Sequence, residues 1–229
     1  MRYAALRRRL PRFLHRYILD FEARTDDALA SFARSLPEGA LILDAGAGEG
    51  QHAGLFARHR YIAVDLAVGD AEWDYSRLDC LADLSALPFP DGTFNACLNV
   101  VTLEHVREPA RVLGEIFRAL APGGRFLLIA PHAWEVHQPP HDYYRYTRYG
   151  LRYLLEGAGF ASIHVYPMGG FFRLLSRRLL NGLQFFRGIW FPVGVALLAP
   201  PAMLMPLLDG LDRECDFTLG YICTAQKPS

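Results

Sequence analysis

Between residues 40 and 167, short continuous apolar runs alternate with helical patterns, and this rhythm admits few architectures. "ALILD" reads as a strand buried on both faces. "HAGLFARH" predicts a helix after it, and "YIAVD" a second strand. "RLDCLAD" holds a short third strand and "TFNACLNVV" a fourth. Pro109 opens the helix "ARVLGEIFRAL", because proline suits the first helical position. "APGG" stops that helix before the fifth strand, "RFLLIAP". Thr147 caps a helix over "RYGLRYLLEGA", which Gly159 ends. "SIHVYPM" and "FTLGYICTAQ" complete the strands. The alternation predicts an α/β fold: a mostly parallel seven-stranded sheet with helices on both faces.

Ahead of this core, residues 1–39 form an N-terminal helical segment. Leu6, Leu10, Phe13, Leu14 and Tyr17 fall at helical spacing among arginines, and Pro37 and Gly39 close it. The basic N-terminus lacks the apolar run of a secretory signal. Lys and Arg number 24 and Asp and Glu 24, so no net charge draws the chain to nucleic acid. Cys80, Cys97, Cys215 and Cys223 show no CxxC spacing, which fits a reducing, cytoplasmic setting.

In open α/β sheets, ligands bind beyond the carboxyl ends of the strands. Asp44, Asp65, Asn99 and Pro131 lie there. Gly46, Gly48 and Gly50 permit tight turns and close approach of a ligand to backbone. A helix starting near Gln51 would aim its amides at an anionic group. Asp65, ending the second strand, suits a ribose diol, and Asp83 an adenine amino group. The bland alternatives are an ordinary strand–helix turn, a loop acid and an Asx-turn. G-x-G-x-G departs from the dinucleotide G-x-G-x-x-G, and Asp44 would repel a pyrophosphate. An adenosine whose appendage carries a cationic amine fits better.

The ordered motifs "LDAGAGEG", "AVD", "ADLSALPFPDGTFN", "LEHV", "EIFRALAPGGRFLLIAPH" and "HDYYRYTRYGLRYLLEGAGF" resemble those of class I S-adenosylmethionine-dependent methyltransferases. The resemblance covers about residues 40–165, with a return strand near 217–226. It implies a Rossmann-like sheet and S-adenosylmethionine as cofactor. It places Asp44, Gly46, Gly48 and Gly50 around the methionine part, Asp65 on the ribose and Leu66 against the adenine. Asp83 falls near the adenine amino group, Leu84 supplies backbone contact, and Asn99 lines the pocket floor. Asn95 stands where the family often has Asp, at a position read as structural.

Methyl transfer relies largely on proximity and desolvation, and needs a base only when the acceptor must lose a proton. His105 in "TLEHV" is the candidate base; the alternative is that His105 and Glu104 orient a loop. The segment "PHAWEVHQPPHDYYRYT" follows the fifth strand, where a substrate loop belongs. His132, His141, Tyr144 and Arg145 are its candidate acceptor contacts, with a salt bridge to Asp142 the alternative role for Arg145. His132, His137 and His141 are spaced too irregularly around Pro139 and Pro140 for a metal site, and none is expected.

An apolar helical insertion occupies about residues 171–210 of the domain spanning 40–229. From Gly188 to Leu208 it has no charged residue, and Pro192, Pro200, Pro201 and Pro206 predict two short helices folded as a hairpin. Arg173, Arg177, Arg178 and Arg187 precede it without nearby acids. Basic residues beside apolar surface fit attachment to a membrane surface; packing on the core or in a homodimer is the alternative. The leading expectation is a cytoplasmic methyltransferase, peripheral at the inner face of the membrane, acting on a small-molecule or membrane-proximal acceptor (lipid-linked or a glycan precursor). A non-catalytic S-adenosylmethionine-binding subunit is the alternative; nucleic acid is not an expected partner.

Overall fold

A computed structural model describes residues 16–69 and 72–229. The arginines and apolar positions singled out before residue 16 lie outside them. The described residues divide into two compact units, residues 28–166 with 221–229, and residues 16–27 with 167–220.

The larger unit is built on a sheet. Its strands are β1 (Leu41–Ala45), β2 (Arg60–Asp65), β3 (Cys80–Leu81), β4 (Phe94–Val100), β5 (Leu120–Pro131), β6 (Ala161–Pro167) and β7 (Gly220–Gln226), in the order β3-β2-β1-β4-β5-β7-β6. Strands β1 to β5 pair in parallel, with Leu43 opposite both Ile62 and Cys97. Alternate residues of each central strand feed opposite faces. Leu43, Cys97, Phe126 and Leu128 pack with Val112, Leu113 and Ile116 of α2 (Pro109–Ala119) and with Leu151 and Leu155 of α3 (Arg148–Gly157). Ile42, Ala96, Leu98 and Leu127 pack with Leu29 and Phe32 of α1 (Asp20–Ser35) and with Leu36 just after it. Apolar runs buried on both sides thus become the middle of a three-layer stack. Pro109 stands in the first turn of α2, and the Thr147 hydroxyl accepts from the Gly150 N–H at 3.0 Å, capping α3 as expected. Asn95 has a structural role, its Oδ1 accepting the Leu41 N–H at 2.9 Å.

Two local expectations are corrected. No α-helix follows the glycine loop; "HAGLFARH" forms only a four-residue 3-10 turn, Ala53–Phe56. Phe56 is fully buried and stacks on Tyr61 at 5.8 Å between centroids, pinning a connection too short for several helical turns. Such a turn has little macrodipole, so the argument from helical amides to an anionic ligand fails. "APGG" falls within the assigned span of β5, where pairing shifts between Phe94↔Leu120 and Ala96↔Arg125.

The smaller unit contains α4 (Phe171–Gly182) and α5 (Phe191–Leu204), with a 3-10 turn on each side of α5. The expected hairpin inside 188–208 is not formed; Gly188–Leu211 is one helical run. Pro192 and Pro206 stand in the opening turns of their helices, where no hydrogen bond is lost. Pro200 and Pro201 lie inside α5 without ending it. Helix α5 is held sideways against α4: the Ser176 hydroxyl donates to the Ala202 carbonyl at 2.6 Å, and Gly194 admits the Phe186 ring. Two of the arginines before the insertion, Arg173 and Arg177, do have acidic partners in space. Arg173 pairs with Asp20 at 2.9 Å and Asp209 at 3.1 Å, and the buried Arg177 with Glu22 at 2.9 Å.

Candidate active site

The loop after β1 turns at Gly46, Gly48 and Gly50, with φ of 91°, 54° and 67°. A side chain is strained in that region of backbone space. At Gly46 it would also collide, since an added Cβ would lie 2.2 Å from Thr102 Cγ2. Thr102, just past β4, donates to the Gly46 carbonyl at 3.1 Å and so ties the loop to the neighbouring strand.

Asp44 is completely buried. The Tyr61 hydroxyl donates to its Oδ2, while Oδ1 has no hydrogen-bond partner. Burial raises the Asp44 pKa from 3.8 to about 7; the Tyr61 bond opposes the shift and the Asp65 charge adds to it. Nearby, Asn99 donates from Nδ2 to the Ala45 carbonyl at 2.7 Å, and its buried Oδ1 is likewise unpartnered. Two buried acceptors without donors at the foot of a glycine loop suit a ligand carrying an ammonium group.

Asp65 is tied to the loop it follows. Its Oδ2 accepts the Gly48 N–H at 2.9 Å and its Oδ1 the Ala67 N–H at 2.8 Å. Each oxygen retains a lone pair for a hydroxyl. Leu66 is 51% exposed, an apolar side chain on the rim available to a flat ring. Asp83 is exposed and makes the Asx-turn with Ser85 N–H at 2.8 Å, while Leu84 is buried. Trp73 escaped the sequence reading: its Cζ3 would lie 3.1 Å from a Cβ at Gly48. Tyr75 was missed with it and accepts the Gly69 N–H at 2.8 Å. Neither belongs to a motif; only their aromatic character marked them.

Beyond β4 and β5 a second cluster forms. Leu103–His105 is a short 3-10 turn in which Glu104 is fully buried. The Glu104 carbonyl accepts the Tyr143 N–H at 2.9 Å and the Tyr144 N–H at 3.2 Å, fastening the two loops together. His105 Nδ1 lies 2.5 Å from the His141 carbonyl, and His132 Nδ1 lies 2.7 Å from the Tyr146 carbonyl. A carbonyl only accepts, so both Nδ1 atoms carry the proton. His141 Nδ1 is 3.2 Å from the Tyr143 hydroxyl, and the half-exposed Tyr144 donates to the Arg107 carbonyl at 2.8 Å. Arg145 grips Asp142 with two bonds, of 2.6 and 2.8 Å. That pairing lowers the Asp142 pKa to about 2. His137 joins Glu104 and His105, with the two imidazole centroids 4.7 Å apart. Burial opposes His137 protonation, but Glu104, the Glu135 carbonyl and Asp142 together raise its pKa.

Comparison with known proteins bears on the family and the fold. Residues 43–128 match the family described as methyltransferase domain. A probable S-adenosylmethionine-dependent methyltransferase of Mycolicibacterium smegmatis is 36% identical over 97 residues, covering 40% of this chain and 38% of that protein. The ubiquinone/menaquinone biosynthesis C-methyltransferase UbiE of Escherichia fergusonii is 28% identical, covering 66% of this chain and 68% of its own length. Among solved structures, a Haemonchus contortus phosphoethanolamine N-methyltransferase with bound S-adenosyl-L-methionine superposes with a TM-score of 0.60 at 18% identity. That superposition covers 90% of this chain and 53% of the other. The family match, the named relatives and the solved structures together support a class I S-adenosylmethionine-dependent methyltransferase with S-adenosylmethionine as its cofactor. The chain spans less than half the length of the Mycolicibacterium relative.

Proposed function

We propose that this protein transfers a methyl group from S-adenosylmethionine to a small, membrane-proximal acceptor, either lipid-linked or a glycan precursor, at the inner face of the membrane. The observation that carries the cofactor reading is the unpartnered, buried Asp44 Oδ1 beneath three left-handed glycines. Asp44 would hold the amino group, Asp65 the ribose hydroxyls, Leu66 and Asp83 the adenine, and Asn99 the floor. The cofactor supplies a methyl group already activated on a sulfonium sulfur. The chain's own task is then to exclude water and align an acceptor. His105 is the group suited to take a proton where the acceptor must lose one. His132, His141 and Tyr144 line the loop offered to that acceptor, and Arg145, committed to Asp142, shapes it.

The apolar surface of α5 and its flanks supports a membrane-proximal acceptor. The run Gly188–Leu211 is long and apolar enough to cross a membrane by length and composition. One side of it is packed on α4, which itself carries the buried Arg177 in an ion pair with Glu22, and this disfavours a span. The other side exposes Ile189, Trp190, Val193, Leu197, Leu204, Leu207 and Leu211. Insertion of that face into one leaflet suits this one-sided arrangement. Burial of the same face against a second copy of the chain is the competing reading.

Calorimetric titration with S-adenosylmethionine tests the first half. Micromolar binding by the wild type, weakened at least about 10-fold in Asp65→Ala through loss of charge-assisted hydrogen bonds, is expected. A wild-type chain that binds no cofactor, with or without liposomes, removes the reading. Labelled methyl groups recovered only in water-soluble products of a total cell extract would remove the membrane-proximal acceptor.

A further inference from the structure

We propose that Glu104, His105 and His137 form a binding site for a divalent transition-metal ion. Their candidate ligand atoms lie within 4.8 Å of one another. Glu104 Oε1 stands 3.6 Å from His105 Nε2 and 3.7 Å from His137 Nε2. These separations exceed a hydrogen bond, and both Glu104 oxygens and both Nε2 atoms are buried without a hydrogen-bond partner.

The tautomers explain the gap. His105 Nδ1 donates to the His141 carbonyl, as its 2.5 Å distance requires. His137 Nδ1 faces the Glu135 carbonyl at 3.1 Å. Arg145 Nη2 also approaches that Nδ1, at 3.4 Å, but its two protons already go to the Glu135 carbonyl at 2.7 Å and Asp142 Oδ2 at 2.8 Å. Both histidines therefore carry the proton on Nδ1 and point a bare Nε2 at a buried carboxylate. With both rings neutral, acceptors thus face one another with no donor between them. A cation resolves the conflict, and backbone carbonyls behind each ring are the usual support for metal-bound histidine.

Two imidazole nitrogens and one carboxylate select zinc, cobalt or iron over magnesium or calcium, which take oxygen ligands. Three protein ligands leave a coordination position open, as in catalytic zinc sites. The site stands at the carboxyl ends of β4 and β5, the rim where ligands bind in such sheets. With an ion bound, His105 is a ligand rather than a proton acceptor, so the two roles of its Nε2 exclude each other. The irregular loop spacing of His132, His137 and His141 concealed this set, because only His137 belongs to it.

The test uses the tag-free full chain, stripped with a chelator and titrated with zinc by calorimetry and with cobalt by visible absorption. One equivalent should bind, with cobalt ligand-field bands. His137→Ala and Glu104→Gln should each weaken binding at least about 10-fold. Circular dichroism checks folding, and if Glu104→Gln does not fold, His137→Ala, at a site less deeply buried than Glu104, decides alone. No binding by the wild type, or equal binding by wild type and folded variants, overturns the site. In the first case the cluster holds a proton instead, visible as an imidazolium on His137 by NMR. Binding of S-adenosylmethionine, measured in parallel, reports on the cofactor pocket independently.

Discussion

Asp44 joins a cost in folding to a use in binding. Its carboxyl is buried, so its pKa in the folded chain rises to about 7. Below pH 4 the group is protonated in folded and unfolded chains alike and costs nothing by ionisation. Between pH 4 and 7 only the unfolded chain releases the proton, so stability falls as pH rises, and above pH 7 the loss is complete. In the ligand-free protein, Asp44→Asn should therefore raise Tm at pH 8 by several degrees more than at pH 5. The same variant should bind S-adenosylmethionine at least about 10-fold more weakly, because the ammonium loses its charged partner. Equal melting shifts at both pH values would show that Asp44 does not titrate in this range. The motif made Asp44 and its glycines legible. Tyr61 and Thr102 were not, because the first partners Asp44 from the adjacent strand and the second supports Gly46 from 56 residues away.

At the level of elements, parallel strands and capped helices follow directly from local pattern. Thr147 is a clear case: its hydroxyl closes the first turn of α3, whose Leu151 and Leu155 are buried under the sheet. Thr147→Ala should cost about 1 kcal/mol, measured by denaturant titration, and an unchanged midpoint would show that the cap contributes nothing. The missing helix after β1 marks where local pattern was insufficient. Burial of Phe56 against Tyr61 outweighed the weak helical preference of a short connection containing Gly54. Local sequence predicts breaks at the prolines of the insertion, yet α5 continues through Pro200 and Pro201 because packing on α4 holds it.

For the molecule as a whole, the exposed face of α5 carries the prediction. The full chain should co-sediment with anionic vesicles, and Trp190 fluorescence should shift to the blue on binding. Replacing Leu197 and Leu204, 62% and 58% exposed, with Glu should abolish both signals without unfolding the chain. Retained vesicle binding would remove the membrane reading. A wild-type dimer that the same substitutions dissociate would assign this face to a second copy instead.

The sequence alone determined the order of the strands, the helices over 109–119 and 148–157, the glycine loop, the acids at the strand ends and the apolar insertion. Each is written in residues close along the chain, through periodicity and turn chemistry. Only the tertiary structure decided that Arg173 and Arg177 are neutralised by Asp20, Asp209 and Glu22. It alone brought His137 to Glu104 and His105, across the helix and strand that separate them in sequence. The reason is physical: pairing and coordination depend on distance in space, and residues remote in sequence meet only after the chain has folded.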